Sequence, residues 1–510
     1  MRVTNNMITT NTKTNINSNK VNVDKYNTQM TTQKKISKPS ENPVIAIRSL
    51  RMSTNMSHIN QYLDNNISEV NAWLDVTETA LTNMKSILTD IRTQCVNGST
   101  DTLTADDRNT ILKSLKALSD QVYSEGNADY AGRTVFTGYR TSSQLTFTED
   151  EKDTTYEIDQ SFNYEDLTDH RYYYGSVDVP ADADTECTTA IGTNTYSRLR
   201  LAYDGTTSLD SVSYTGKDGT TTTMTVADSA DATGADNEIV VYENEEAWYE
   251  ATKAADGSGM TLGDNEVIFL KSTGELIFGK EIAHTLSQSE ATVDVSYTKT
   301  GFDEGEARPE YYYDCVMSTP DLEEPLEFTK ENQQIVFTIS NGITIAANTQ
   351  ASEVFDTSIA RDVDELIDVV SAAIEANAKV DKIKEMMARE QYCSKEDQAV
   401  LQTYLDAAEK EADYADDNLQ KTYSQYIGNF DQYLEKVNIG ITNVGSLEKR
   451  LALTKTRVEN QKMTVEELQS NNEDRDISDI IIDYYASYNA YTSSLTAASK
   501  VGEQTLLNYI

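Results

Sequence analysis

Apolar residues recur at both ends of this 510-residue chain in alternating steps of three and four. Only a helix turns that spacing into one continuous stripe, so the chain ends are confined to long, packed helices. The first seam runs Met56, Ile59, Leu63, Ile67, Val70, Leu74, Thr77, Leu81, Met84, Leu88, Ile91 and Cys95. Thr77 is its one polar member, and the step pattern drifts once, to 4,4,3 between Ile59 and Val70. Ser40 is a plausible N-cap for it, with Pro43 in the first turn, where a missing N–H costs nothing. Asn97-Gly98 is suited to close the helix at positive φ. A second helix starts at the Thr104/Asp107 capping pair with the seam Ile111, Leu115, Leu118 and Val122, and the short link makes the two an αα-hairpin.

The far end supplies the layer that covers them. Val363, Leu366, Val370 and Ile374 mark one helix. From Leu401 a second seam runs through Leu405, Ala408, Ala412, Leu419, Tyr426, Phe430, Tyr433, Val437, Val444, Leu451 and Val458 to Leu468, with Gly440 and Gly445 as weak points. The charged stretch Asn471–Asp476 reads as a break. A last helix carries Ile477, Ile481, Tyr484, Tyr488, Tyr491, Leu495, Ala498 and Val501. Residues 1–33 hold eight Asn and eight Thr. Such residues compete with the backbone for hydrogen bonds, so this segment is expected to be largely disordered in an isolated chain.

The middle is different. Residues 140–350 contain fourteen of the 22 glycines and four of the six prolines, together with 41 acidic against 12 basic residues. Turn residues at that density predict short strands and loops. The fold class is therefore α+β: a helical coiled-coil bundle from both chain ends with a strand-rich acidic insert. Five ranges follow: 1–40, a segment that orders on assembly; 41–140 and 351–470, two parts of the bundle; 141–350, the surface-exposed insert; and 471–510, the terminal helix. The apolar excess of that last helix calls for a partner, and the N-terminal segment with the same elements of neighbouring copies is the simplest one.

Composition excludes several functions. A net charge of −41 is incompatible with a phosphate-tracking groove, so nucleic acid is not a partner. No apolar run approaches eighteen residues, so no membrane span is expected. The first 33 residues lack the apolar block of a secretory signal, so the chain stays in the cytosol or leaves by a route that does not read one. Cys95, Cys187, Cys315 and Cys393 are widely spaced without a CxxC, and His58, His170 and His284 stand far apart. Neither a metal nor a cofactor is expected. No nucleophile elbow, zincin motif or P-loop is present. Acid clusters such as Glu243, Glu245 and Glu246, or Asp303, Glu304 and Glu306, could serve glycoside hydrolysis or calcium binding, but solvated acidic loops account for them. Tyr172–Tyr174 and Tyr311–Tyr313 read as strands, with sugar stacking as the alternative.

Six motifs then share an order. Met1-Arg2-Val3-Thr4-Asn5 opens the chain, and Gln33-Lys34-Lys35-Ile36-Ser37-Lys38-Pro39-Ser40-Glu41-Asn42-Pro43 follows. Asn66-Ile67 and Trp73-Leu74 come next, then Ala131-Gly132-Arg133-Thr134-Val135-Phe136-Thr137-Gly138. Asn443-Val444-Gly445-Ser446-Leu447-Glu448-Lys449-Arg450-Leu451 and the closing Leu506-Leu507-Asn508-Tyr509-Ile510 complete the set. Together they resemble the flagellin-like proteins of the bacterial flagellum, and among them the hook–filament junction group, hook-associated protein 3. Glu41 and Asn42 replace the two aspartates of that family's pattern, and the insert matches no part of it. The resemblance implies a structural protein rather than an enzyme, exported without a cleavable signal peptide through the flagellar type III channel and needed for motility. It implies a homo-oligomeric ring outside the cell, with a neighbouring hook-associated protein and flagellin as partners and an export chaperone. Ser40, Asn42 and Pro43 would form a functional turn, and Tyr484, Tyr488, Tyr491, Leu495, Leu506, Leu507 and Ile510 an assembly face. Filament flagellin is the alternative within the family. A secreted carbohydrate-binding or adhesive protein, a coiled-coil scaffold or a phage tail component is the alternative outside it.

Overall fold

The computed structural model describes residues 5–100, 103–230, 232, 237–254, 258–321 and 323–503, except for the side chains of Asn5 and of 501–503. Ten helices are described: α1 (Asn5–Thr32), α2 (Pro43–Asn60), α3 (Ser68–Gly98), α4 (Ala105–Gly126), α5 (Glu245–Thr252), α6 (Lys280–Gln288), α7 (Ala351–Val354), α8 (Ser358–Met387), α9 (Lys395–Glu473) and α10 (Ile477–Glu503). The strands are short pairs at the margins, β1 (Asp129–Tyr130) with β2 (Arg133–Thr134) and β14 (Val336–Ser340) with β15 (Ile343–Ala346), and one large sheet between them. In chain order the sheet strands are β3 (Glu151–Asn163), β4 (Thr168–Tyr174), β5 (Gly192–Arg200), β6 (Ser208–Thr215), β7 (Thr221–Asp228), β8 (Glu238–Tyr242), β9 (Val267–Leu270), β10 (Glu275–Phe278), β11 (Thr292–Phe302), β12 (Asp314–Ser318) and β13 (Leu326–Phe328). The fold is α+β.

Two compact units divide the chain, and they differ from the five ranges read from the sequence. The first comprises residues 1–71, 336–345 and 448–510; the second comprises 72–335 and 346–447. The hairpin tip 336–345, expected to belong to the insert, lies in the first unit, where Asn66 donates to the Thr338 carbonyl at 2.6 Å.

From Ile67 onward the first seam is buried as its spacing requires, while Met56 and Leu63 before it are partly buried. Ile67, Val70, Leu74, Leu81, Met84, Leu88, Ile91 and Cys95 are all at most 2% exposed, a core stripe without a gap. Thr77 is buried as well, and its hydroxyl donates to the Trp73 carbonyl at 2.8 Å, which removes the penalty for an unpaired polar group. The 4,4,3 drift coincides with a π-helical turn, Gln61–Ile67, between α2 and α3. A π-turn takes up one surplus residue without losing the helix axis, and that surplus is what the drift encodes. Gly98 needs correction: it is the last residue of α3 and not at positive φ, and a Cβ there would meet the Tyr423 ring at 2.4 Å. Gly440 is likewise no weak point. The helix α9 runs unbroken through it, and a Cβ would lie 2.6 Å from Val354. At both positions glycine allows close packing.

The capping box at Thr104 forms as expected, with Asp107 N–H donating to the Thr104 hydroxyl at 3.3 Å and Thr104 N–H to the Asp107 carboxylate at 3.2 Å. Residues 5–32 are helical, against the expectation of disorder in an isolated chain. Threonine hydroxyls here bond back to carbonyls four residues earlier, as in Thr12 to Ile8 at 2.8 Å and Thr28 to Asp24 at 3.0 Å. The hydroxyls are satisfied by carbonyls already in the helix ladder, a bond that slightly weakens a helix, so it is the packing against α10 that accounts for the order of this one.

The sheet has the order β13-β12-β3-β11-β6-β7-β8-β9-β10-β5-β4. It is antiparallel except where β8 joins β7 and β9 in parallel. Its core is aliphatic and aromatic, with Tyr156, Ile158, Leu199, Val212, Val293 and Tyr297 essentially inaccessible. A bulge between Thr300 and Phe302 ends the regular pairing of β11 with β3, and Gly301 supplies the positive φ of 87°. Tyr172–Tyr174 lie on β4 as expected. Tyr311–Tyr313 do not form a strand: Pro309 starts a 3₁₀ turn through Tyr311, and Tyr312 and Tyr313 follow it. Proline fixes φ and has no N–H for a ladder, so it favours the turn.

A candidate assembly surface at the paired chain ends

Within the first unit the elbow between α1 and α2 meets the break between α9 and α10. Gln33 takes a positive φ of 54° and stops α1. Its carbonyl then accepts from Arg475 N–H at 2.9 Å, while Lys35 N–H donates to the Glu473 carbonyl at 2.6 Å. These bonds frame an antiparallel bridge between Lys34 and Asp474. Side chains lock it: the Lys34 ammonium lies 3.1 Å from Glu473 and 2.6 Å from Asp474. Arg475 donates to Gln29 at 3.1 Å, pairs with Asp483, and sits over the Tyr26 ring at 5.6 Å. Burial alone would raise the Glu473 carboxyl, but hydrogen bonds from Ser49, Lys34 and Gln469 outweigh it and hold the group below the usual range. The bond from Lys34, followed by that from Ser470, lowers Asp474.

From this clasp α1 and α10 run back side by side. Gln29 faces Arg475, and Asn19 donates to the Ala490 carbonyl at 3.4 Å, so the two helices are antiparallel. Their pairing leaves much apolar surface open. Val21 on α1 is 65% exposed, and Ile482 and Tyr485 on α10 are 65% and 60% exposed.

The sequence-read residues fall into three groups. In the turn, Asn42 is the N-cap, accepting from Val44 and Ile45 N–H at 3.2 and 3.3 Å, with Pro43 at the first helical position. Ser40, expected as the cap, is exposed two residues earlier. The reason is spacing, since a cap acceptor must directly precede N1, and Pro43 sets N1. Along α10, Tyr484 stacks on Tyr488 with centroids 6.2 Å apart and planes at 16°. Tyr484 and Tyr491 are half-buried, while Tyr488 and Leu495 are exposed. Leu506, Leu507 and Ile510 lie outside the described residues. The clasp residues Gln29, Gln33, Lys34, Glu473 and Arg475 were missed as a site, although opposite charge at Lys34-Lys35 and Glu473-Asp474 was a readable signal.

In the second unit one carboxylate of each acidic cluster, Glu306 and Glu243, lies against a lysine. Lys299 binds Glu306 at 2.9 Å and Asp204 at 3.3 Å. Asn244 caps α5 ahead of Glu245 and Glu246. A buried ion cluster joins the sheet to the helices: Arg198 on β5 bridges Glu275 on β10 at 2.6 Å and Glu365 on α8 at 2.7 Å. Arg200 reaches Glu365 at 2.8 Å and also pairs with Asp362, to which the Tyr433 hydroxyl donates at 2.7 Å. Burial, then Arg198, pushes His170 down to about 4. Burial, then Glu275, pushes Glu245 up to about 7. Among the described residues no group of three or more His, Cys, Asp or Glu is placed to hold a metal. No described helix is long and apolar enough to cross a membrane.

The model of the bacterial flagellin N-terminal helical region matches residues 3–141. Over that stretch the chain is similar to a flagellin N-terminal region. Flagellar hook-associated protein 3 of Escherichia coli (strain K12) is 29% identical over 121 residues, 23% of this chain and 38% of that protein. The match thus spans well under half of that relative's length. A solved flagellar hook-associated protein of Vibrio parahaemolyticus is 13% identical, covering 85% of this chain and 100% of its own, with a TM-score of 0.36. Flagellar hook-associated protein 3 of Legionella pneumophila is 10% identical, covering 82% and 97%, with a TM-score of 0.30. Overlaps that loose carry no argument about how the parts are arranged. The chain resembles hook-associated protein 3, as the terminal motifs imply, and the proteins it matches are flagellar components, not enzymes.

Proposed function

We propose that this protein is a structural element of the bacterial flagellum, a ring of copies at the junction of hook and filament. The observation that carries this is the pairing of α1 with α10, which joins the two chain ends and leaves apolar side chains open on both. Burying an exposed Ile or Tyr side chain against a neighbour contributes about 1.5–3 kcal/mol, so a few such residues favour assembly. On this reading the 1–40 and 471–510 ranges form the subunit-to-subunit wall, with Tyr484, Tyr488, Tyr491, Leu495, Leu506, Leu507 and Ile510 in it. The turn at Ser40, Asn42 and Pro43 sets the angle of departure of α2. The 41–140 and 351–470 ranges build the bundle, and 141–350 faces solvent. A hook-associated protein and flagellin are the neighbours, an export chaperone holds the terminal helices beforehand, and the chain leaves by the flagellar type III route in support of motility.

Immunogold electron microscopy with antibody to residues 151–328 tests the placement in the cells that make the protein. A narrow band of label where hook meets filament is the expected result. Label along the whole filament would make it a flagellin, and absence from flagella would defeat the reading.

A further inference from the structure

The net charge falls almost wholly in one of the two compact units. The first unit, in 144 residues, holds sixteen basic and fourteen acidic residues, a net +2. The second, in 366 residues, holds 27 basic and 70 acidic residues, a net −43. The surface that is short of partners and the charge that repels copies therefore belong to different units. Within the first unit the paired helices also differ in sign: α1 carries Lys13, Lys20 and Lys25 against Asp24, and α10 carries Asp479, Asp483 and Glu503 against Lys500, with Asp483 already paired to Arg475 in the same copy. A second copy fits that surface, since an exposed apolar stripe flanked by lysines meets one flanked by aspartates.

We infer that association of copies is gated by ionic strength, with the first unit supplying the attraction and the acidic second unit an opposing repulsion that salt must screen. This rests on the reading that copies assemble through α1 and α10. The sign follows from magnitude. Opposite net charges of +2 on α1 and −2 on α10 favour association at low salt, but the net −43 of the second unit that every added copy brings in exceeds them more than tenfold. The Debye length is about 30 Å at 0.01 M and about 10 Å at 0.1 M. At low salt the second units of adjacent copies thus repel across a distance comparable to a domain, and at higher salt only across near contacts.

The test is sedimentation velocity of the purified full-length chain at fixed concentration over a series from about 20 to 500 mM NaCl, repeated with MgCl₂. The expected result is an association constant that rises on the order of tenfold or more across the series, with MgCl₂ acting at lower concentration. A variant carrying E323K, E324K, E327K and E331K, all at exposed positions of the second unit, must move the NaCl midpoint down. That shift separates screening from a general salting-out of apolar surface, which would leave the midpoint unchanged and overturn the inference. Association that weakens with salt, or ignores it, overturns the gate while leaving assembly intact. No association at any salt, with I482D indistinguishable from the parent, defeats the assembly reading and the gate with it.

Discussion

Asn42 carries a cap that its neighbour Ser40 does not, although both are good capping residues. The Asn42→Ala variant leaves two N–H groups of the first turn of α2 without their acceptor, and about 1 kcal/mol of stability should go with it. Ser40→Ala should fall within about 0.5 kcal/mol of the parent; urea unfolding of both variants makes the comparison. Glu245 gives a pH prediction. Its folded value of about 7 stands above the ordinary 4.5, so the native state favours the protonated form. This group's destabilisation grows as pH rises from 4.5 through 7, to on the order of 3 kcal/mol at most. Glu245→Gln should therefore be more stable than the parent at pH 8, equal to it near pH 4, and flatter in between by thermal unfolding. Glu365 acts in the other direction: although burial raises it, Arg198 and Arg200 hold it well below the ordinary range. Its contribution is present above about pH 4.5 and fades in acid. Both positions lie in one buried cluster that no local pattern announces, since Arg198, Glu275 and Glu365 are far apart in sequence.

Among the elements, the π-turn Gln61–Ile67 was visible beforehand as a drift in step size, because burial of one face ties side-chain spacing to backbone pitch. Deleting the exposed Asn65 should convert it to plain α-helix and keep the seam on either side buried. Hydrogen exchange across 56–74 with protection equal to or above the parent would be the sign. The terminal pair makes a further prediction. Ile482 is 65% exposed within one copy, so Ile482→Asp should change monomer unfolding by less than about 0.5 kcal/mol while reducing self-association in sedimentation. The first helix, read as disordered, is helical against α10. Its polar composition concealed a sparse seam through Ile16, Val23, Tyr26 and Gln29, all at least half-buried, which has value only once α10 lies beside it.

For the whole molecule, a net charge of −41 with −43 in one unit means that the compact state works against its own repulsion. At concentrations too low for association, the melting temperature should rise from about 20 to 300 mM NaCl, by calorimetry, and most in the transition of the second unit. A fall with salt would mean that the paired charges, such as Arg198 with Glu275 and Glu365, outweigh the excess.

Local order was written into the chain: the seams, the Thr104 capping box, the break near Asp476 and the strand-rich middle all follow from side-chain periodicity and backbone preference, which act over a few residues. The terminal motifs carried the flagellin-like resemblance for the same reason, as contiguous runs. Tertiary structure decided what depends on partners distant in sequence: the eleven-strand order, the clasp of Lys34 with Glu473 and Asp474, the close approach of Tyr423 to Gly98, and the burial of Arg198. Those contacts form only when loop closure brings remote segments together, and the free energy that rewards them is not a property of either segment alone.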